Sequence, residues 1–188
     1  MLNKIKIIGG KWRGRSIDFP AANGVRPTPG RVRETLFNWL APSVMDAIFL
    51  DAFGGSGALS FEALSRGAKE GVFIENVNVT RKYCHENAEK LGATTLRIIQ
   101  GTSPERFISL KPEKPYDIVF LDPPFGKRLL LPSLEALCAN ALIDQQTLVY
   151  FEVEKTLAID TLVANRFNVL KKLIAGEVCY GILGLKAD

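Results

Sequence analysis

The stretch FLDPPF, over residues 120–125, places a carboxylate, two prolines and an aromatic ring directly after a strongly apolar run. An exocyclic amine on a nucleobase is a poor nucleophile, because its lone pair is delocalised into the ring. Asp122 and a backbone carbonyl of Pro123 or Pro124 can each accept one N–H of such an amine and so direct its lone pair at an electrophile. Proline fixes φ near about −65°, which holds the carbonyl in place beforehand. Phe125 can stack on a base that has left its helical stack.

The same residues also suit a strand that simply ends in a turn, with Asp122 as a cap and Phe125 as a packing residue. A second motif, LDAFGGSGALS, reduces the weight of that interpretation. Gly55 and Gly57 lack Cβ atoms where the backbone turns before a helix, which lets a polar ligand group approach. Glu75, at the end of the next apolar run, can accept hydrogen bonds from a ribose diol. Together these features predict an adenosine-containing cofactor.

Two cofactor classes are compatible with a glycine loop of this kind, and the loop can also be a plain tight turn. The stretch lacks the third glycine or alanine of GxGxxG, which weakens the interpretation as a nicotinamide enzyme. Asp51, just before the glycines, would repel a pyrophosphate but attract an ammonium group. We therefore expect S-adenosylmethionine, with Asp51 facing its methionine part directly or through water.

The elements that must position these residues alternate from residue 47 onwards. Short apolar runs predict five strands in the stretches AIFLDAF, GVFIE, TLRIIQ, YDIVFLD and TLVYFEVE. Helical stretches separate these strands. In one of them, VTRKYCHENAEKLG, we expect Val79, Tyr83 and Leu91 roughly on one side of the helix. RFNVLKKLI and VCYGILGL, joined through AGE, predict a terminal hairpin. The pattern indicates an α/β fold with a seven-stranded, mostly parallel sheet and an antiparallel C-terminal hairpin.

The N-terminal end is basic and has a different pattern. Residues 1–33 carry eight basic side chains and one acid, a net charge of +7, which leaves −3 for the rest of the chain. The stretch KIKIIGGKWRGRSIDF predicts a small β-hairpin with a basic tip. Thr28 is a candidate N-cap for the helix that follows. A solvated surface explains many charge runs, but this asymmetry favours a nucleic acid partner.

Other chemistry finds little support. Cys84, Cys138 and Cys179 are far apart, so neither a disulfide framework nor a zinc site is expected. The single histidine, His85, lies in a helical pattern away from the glycine loop, which disfavours chemistry based on a histidine. No apolar run is long enough to cross a bilayer and no secretory signal is visible. We expect a cytoplasmic protein without a metal, and no feature demands a dimer, so we expect a monomer.

Four stretches occur in the order found in one family: GGKWRGR, RPTPGRVRETLFNWL, LDAFGGSGALSFEALSRGA and YDIVFLDPPF. From about residue 5 to its end the chain resembles the bacterial 16S rRNA guanine-N2 methyltransferases that act on guanine 966. The second stretch is much more specific than DPPF, which many amino-methyltransferases share. The resemblance implies an S-adenosylmethionine-dependent enzyme with a class I (Rossmann-like) methyltransferase fold. It also implies an RNA-contacting β-hairpin extension over residues 1–24 and a methyltransferase domain over residues 25–188.

The resemblance further implies roles for individual residues. Thr28 and the helix after it would close over the cofactor, Gly55 and Gly57 would hold its methionine end, and Glu75 its ribose. The target amine and base would meet four residues, of which the first also lies beside the cofactor: Asp122, Pro123, Pro124 and Phe125. Independently of the resemblance, phosphate contacts are expected from basic residues of the N-terminal segment and of the stretch after DPPF, namely Lys11, Arg13, Arg15, Arg31, Arg33, Lys127 and Arg128.

Two positions depart from the family pattern. Thr102 stands near the expected adenine site, at a position where the family often has Asn or Asp. Thr102 or backbone groups would therefore contact the adenine. Gly54 stands where another small residue is common, a difference that we expect to matter little.

Three functions stay open at this point. The leading hypothesis is methylation of a guanine N2 amine in 16S rRNA, either free or within an assembling small ribosomal subunit. An N6-adenine or other nucleic-acid amino-methyltransferase needs the same two acceptors, although the RPTPGRVRETLFNWL stretch argues against it. The third is a non-catalytic RNA-binding assembly factor that keeps the cofactor for stability.

Overall fold

The computed structural model describes residues 2–21 and 27–187. The chain consists of two compact units, Met1–Thr102 and Ser103–Asp188. The predicted domain boundary between residues 24 and 25 lies outside the described residues, so the division into an extension and a methyltransferase domain stays a prediction.

The first unit contains a hairpin, three helices and a three-stranded parallel sheet. The antiparallel hairpin consists of β1 (Leu2–Lys6) and β2 (Ser16–Pro20), with a short 3-10 turn at Gly10–Trp12. The hairpin is followed in chain order by α1 (Gly30–Leu40), β3 (Ile48–Asp51), α2 (Ala58–Ser65), β4 (Glu70–Glu75), α3 (Asn78–Leu91) and β5 (Leu96–Gln100). The three strands pair in the order β5–β4–β3 and are parallel.

The helix α1 buries the apolar face that its spacing predicts, which contains Val32, Leu36, Phe37 and Leu40. The prediction of Thr28 as its N-cap is wrong. The first backbone hydrogen bond of the helix runs from the N–H of Arg33 to the carbonyl of Pro29, at 3.0 Å, so Pro29 occupies the N-cap position.

The hairpin determines which face of α3 is buried. Asn87 on α3 accepts the backbone N–H of Asp18 at 2.9 Å and donates its amide to the Asp18 carbonyl at 2.7 Å. The buried residues of α3 are therefore Thr80, Cys84, Asn87 and Leu91. Of the three residues expected on one side of this helix, Leu91 is buried, Tyr83 is half-buried and Val79 is 40% exposed.

The second unit contains a four-stranded sheet with the order β6–β7–β9–β8. Its elements in chain order are β6 (Ile118–Leu121), α4 (Leu130–Ala139), β7 (Leu148–Glu154), the single-turn helix α5 (Ile159–Val163), β8 (Phe167–Ala175) and β9 (Val178–Leu185). β6 and β7 are parallel, whereas β9 is antiparallel to both of its neighbours. All four residues of β6 are buried, as expected for a strand covered on both faces.

Three strands of the first unit and four of the second give the seven predicted sheet strands. The predicted α/β class is confirmed, with a mostly parallel strand arrangement, an antiparallel C-terminal hairpin and a small N-terminal β-extension. Within residues 2–21 and 27–187, no helix combines the length and the apolar character needed to cross a bilayer.

Candidate active site

The glycine loop between β3 and α2 adopts a conformation that only glycine accommodates easily. Gly55 and Gly57 have φ angles of 52° and 76°, in the left-handed region. The N–H of Gly57 donates to the Gly54 carbonyl at 2.9 Å, and the carbonyl of Gly57 accepts the N–H of Phe61 at 2.9 Å. The loop therefore turns tightly and leads directly into α2.

Gly54 has a packing role that the sequence did not reveal. Its N–H donates to the carbonyl of Ile74 at 2.9 Å, which holds the loop against β4. A Cβ atom at this position would lie 2.3 Å from the ring of Phe73. A side chain at position 54 would therefore require the ring of Phe73 to move. Whether Gly54 in place of another small residue affects function stays a prediction.

Glu75, at the end of β4, holds the loop with its side chain. Its Oε2 accepts the backbone N–H of Gly55 at 3.0 Å, and its Oε1 accepts the N–H of Val77 at 2.7 Å. A carboxylate has about four lone-pair positions, so the half-buried side chain retains acceptor capacity. Glu75 can thus position the loop and still accept a hydroxyl of a ribose.

Asp51, the last residue of β3, is buried beneath the loop residues that follow it. The hydroxyl of Ser60 donates to its Oδ2 at 2.6 Å. Burial raises the pKa of the Asp51 carboxyl to about 7, with the charge of Glu75 adding to the rise and the Ser60 hydrogen bond opposing it. A cationic group at this position would favour the charged form. Ser60 was not predicted, because a serine inside a helical pattern carries no distinctive signal.

A buried thiol lies close to the same two acids. Burial raises the pKa of the Cys84 thiol well above its usual range, and the charges of Asp51 and Glu75 raise it further. Cys84 therefore stays protonated in the interior, which does not suit a nucleophile.

Thr102 and Thr28 complete the set of predicted cofactor residues in this unit. Thr102 is exposed and follows β5, whose last residue, Gln100, is the register partner of Glu75. Thr28 is buried just before α1, and its carbonyl accepts the Nε–H of Arg33 at 3.2 Å. The roles of both threonines towards the cofactor stay predictions.

In the second unit, the residues from Asp122 onwards form a turn that exposes an aromatic ring. Asp122 is half-buried at the end of β6, Pro123 is buried, and Phe125 is 46% exposed. The carbonyl of Pro124 accepts the N–H of Lys127 at 3.4 Å, and the N–H of Gly126 donates to the Glu154 carboxylate. These contacts hold the turn and keep Phe125 accessible to a planar partner.

A buried pair of side chains on β7 accompanies Asp122. The hydroxyl of Tyr150 donates to Oε1 of Glu152 at 2.8 Å. Burial raises the pKa of Tyr150 well above its usual range, and the charges of Glu152 and Asp122 contribute to the rise. Sequence reasoning missed this pair, although the alternation in TLVYFEVE places Tyr150, Glu152 and Glu154 on one face of the strand.

Comparison with known proteins identifies the family. A protein-family model described as Conserved hypothetical protein 95 matches residues 5–183. A curated relative from Escherichia coli K12, named Ribosomal RNA small subunit methyltransferase D, is 41% identical over 98% of this chain and 92% of its own. The chain belongs to this family. A relative of the same name from Haemophilus influenzae is 36% identical over 94% of this chain and 92% of its own.

Structural similarity agrees with this membership. A solved structure from Escherichia coli, assigned as the methyltransferase yhhF, superposes with a TM-score of 0.86 at 39% identity, covering 99% of this chain and all of that one. The predicted enzyme class, an S-adenosylmethionine-dependent methyltransferase with a class I fold, is therefore confirmed.

The residues of the first unit fit the methyl donor of this methyltransferase family. The glycine turn lacks side chains that would block a ligand, Glu75 offers an acceptor for a ribose, and Asp51 offers a buried acid for an ammonium group. Among the described residues, no group of three or more His, Cys, Asp or Glu side chains could hold a metal ion.

Most of the basic residues predicted to contact phosphate lie on the surface of the methyltransferase. Exposed positions are occupied by Lys11, Arg13, Arg15, Arg31, Lys127 and Arg128. Lys11 Nζ lies 4.5 Å from the centre of the Trp12 ring, and a guanidinium nitrogen of Arg15 donates to the Lys90 carbonyl at 2.5 Å. Trp12 itself is 6% exposed, which indicates packing instead of stacking on a base.

Arg33 differs from the other predicted contacts, because its side chain is buried. One guanidinium nitrogen donates to the Lys6 carbonyl at 3.1 Å and to Oε2 of Glu62 at 3.3 Å. Glu62 is itself fully buried and also accepts the N–H groups of Ile8 and Gly9. This network joins the hairpin to α1 and α2. A side chain that is buried in this network does not fit the predicted phosphate contact of Arg33.

Proposed function

We propose that this protein methylates the exocyclic N2 amine of a guanine in 16S rRNA, with guanine 966 as the expected position. The observation that carries the proposal is the turn after β6, where a half-buried carboxylate precedes two prolines and an exposed phenylalanine. The names of the relatives, which refer to small-subunit ribosomal RNA, support the choice of substrate.

The chain's own residues divide the task between binding and activation. When bound, S-adenosylmethionine supplies an electrophilic methyl group on a sulfonium. The glycine loop and Glu75 bind and orient that donor. Asp122 and a proline carbonyl accept the two N–H groups of the target amine, so that the nitrogen lone pair becomes available. The bond between the nitrogen and the methyl carbon would form as the carbon–sulfur bond of the donor breaks. The nitrogen would then lose one proton, and the Asp122 carboxylate, which accepts one of its N–H groups, would take it up.

Stacking and phosphate contacts hold the substrate in place. Phe125 offers a face to the extruded base, at a cost of unstacking that the enzyme must offset through binding. Exposed basic residues supply contacts that do not depend on sequence, from Lys11, Arg13, Arg15 and Arg31 in the first unit and from Lys127 and Arg128 in the second. We further propose that the protein acts as a monomer in the cytoplasm, on free RNA or on an assembling small subunit.

The test is to incubate purified protein and labelled S-adenosylmethionine with unmodified small-subunit RNA and, separately, with partly assembled particles. Nuclease digestion followed by mass spectrometry then locates the methyl group. We expect N2-methylguanosine at a single position in at least one of the two substrates. Formation of N6-methyladenosine would support the adenine alternative. RNA binding without any transfer to either substrate would support a non-catalytic assembly factor.

A further inference from the structure

Glu152 is a buried acid to which the transfer step described above assigns no role. Its side chain lies on β7 and the residue is 4% exposed. Burying a carboxylate is costly unless hydrogen-bond donors surround it, and one donor present here is the hydroxyl of Tyr150, at 2.8 Å. The hydroxyl fixes the direction in which Glu152 presents its remaining lone pairs.

Glu152 and Asp122 lie side by side on neighbouring parallel strands. Phe120 pairs with Tyr150 and Leu121 pairs with Phe151, so the next residue on each strand brings Asp122 level with Glu152. Side chains alternate along a strand, and residues level with each other share a face. The charges of both carboxylates also raise the pKa of Tyr150, so both act on the same hydroxyl.

A guanine bound for methylation at N2 requires more than two acceptors. Its Watson–Crick edge carries the N1–H directly beside the two N–H bonds of the amine. Asp122 and the proline carbonyl account for the amine. The adjacent N1–H would lose its water on binding, and a buried donor without a partner costs binding energy. A third acceptor next to Asp122 would remove that cost.

We propose that Glu152 accepts the N1–H of the target guanine and thereby makes the enzyme specific for guanine. A base with an unprotonated nitrogen at N1 directs a lone pair at the carboxylate and is repelled. Tyr150 is the positioning residue that keeps Glu152 oriented. This inference rests on the proposed function, because it assumes that the N2 amine of a guanine is methylated.

The probe is 2-aminopurine, which keeps the exocyclic 2-amine but has no hydrogen on N1. RNA with either guanine or 2-aminopurine at the methylated position is prepared in the form on which the wild-type protein is active. We measure kcat/KM for both substrates with the wild-type protein and with Glu152→Gln. The glutamine keeps an acceptor for Tyr150, and its amide can either accept from N1–H or donate to an unprotonated N1.

We expect the wild-type protein to prefer guanine by about 10²-fold or more, since a site built around a donor rejects an analogue that lacks it. In Glu152→Gln the preference should fall at least about 10-fold, through slower reaction of guanine and relatively faster reaction of 2-aminopurine. Because 2-aminopurine also lacks O6, the change in preference between the two proteins is the decisive quantity, and not the preference of the wild type.

The matched control is Glu177→Gln, an exposed glutamate of the second unit whose carboxylate pairs with Lys155 on the surface. The preference for guanine should be unchanged in this variant. Thermal unfolding and S-adenosylhomocysteine binding show whether each variant is folded. An unchanged preference in a folded Glu152→Gln protein would overturn the inference. Absence of N2 methylation by the wild-type protein would instead overturn the proposed function.

Discussion

The carboxylate of Glu75 accepts the backbone N–H of Gly55 at 3.0 Å, so the residue predicted to bind a ribose also fixes the glycine loop. The two residues are twenty positions apart in the chain. The other carboxylate oxygen of Glu75 accepts the N–H of Val77, which holds the start of α3. One side chain thus connects β4, the loop before α2 and the entry to the next helix.

Removal of this connection should affect both cofactor binding and stability. In Glu75→Gln one acceptor oxygen remains, and we expect S-adenosylhomocysteine to bind about 10-fold more weakly, because hydrogen bonds to a charged acceptor are lost. In Glu75→Ala two backbone donors lose their partner, so the free energy of unfolding should fall by about 1–3 kcal/mol and binding should be abolished. Calorimetry and urea unfolding measure the two quantities.

Glu70→Ala is the control for these variants, since Glu70 is exposed at the opposite end of the same strand. It should bind S-adenosylhomocysteine like the wild type. Tight binding by Glu75→Ala would show that the loop does not depend on the carboxylate.

Asp122→Ala should separate binding from chemistry. We expect nearly normal binding of RNA and S-adenosylhomocysteine, with methyl transfer reduced by at least ~10², the usual effect of removing a preorganised transition-state contact. Single-turnover transfer to small-subunit RNA or particles is the measurement. Asp117→Asn, at the other end of β6, serves as the control because its ion pair with Lys114 is on the surface. Normal transfer by Asp122→Ala would disprove the mechanism.

Stability should depend on pH through Asp51. The pKa of this carboxyl is raised to about 7 in the folded protein from 3.8, so the folded state binds the proton more tightly than the unfolded state. The associated stabilisation is fully present below pH 3.8 and is lost as the pH rises through about 7. Between about pH 5 and about pH 8, the free energy of unfolding of the wild type should fall by about 3 kcal/mol more than that of Asp51→Asn.

Urea unfolding at several pH values in this range measures that difference between the two proteins. The asparagine keeps an oxygen that can accept from Ser60, so the comparison isolates the titration of the carboxyl. Identical pH profiles would mean that Asp51 is already ionised in the folded state.

The exposed and the buried arginines should behave differently. Arg13→Ala should weaken RNA binding and reduce the slope of log affinity against log salt by about 1, as expected for one lost phosphate contact. Arg33→Ala should instead lower the free energy of unfolding by about 1–3 kcal/mol, because Glu62 loses one buried partner and keeps its ion pair with Arg66. Arg97→Ala, an exposed arginine on β5, is the control for charge alone. A salt slope unchanged in Arg13→Ala would remove the hairpin tip from the RNA surface.

Several features of the site could be predicted because each depends on residues close together in the chain. The glycine loop requires left-handed φ angles at Gly55 and Gly57, and only glycine adopts these readily. The end of β6 is visible as an apolar run followed by Asp122 and two prolines. Family membership could also be predicted, because the motifs occur in a fixed order along the chain.

The features that sequence reasoning missed depend on partners far apart in the chain. Arg33 has the same residue type as the exposed Arg13, and only the position of Glu62, 29 residues away, shows that it is buried. The burial of Asn87 likewise depends on Asp18, 69 residues away, whose backbone carbonyl accepts its amide. Periodicity describes which face of a helix is apolar, but not which polar residues the neighbouring hairpin will bury.

The order and spacing of motifs by themselves determined the α/β class, the glycine turn, the carboxylate at the end of β4 and the acid before two prolines, because backbone conformation and strand ends depend on local residue types. Tertiary structure decided the protonation of Asp51, the burial of Arg33 and the pairing of Tyr150 with Glu152 beside Asp122. The physical reason is that desolvation and hydrogen bonding depend on everything that surrounds a group, and those surroundings exist only once distant segments have packed together.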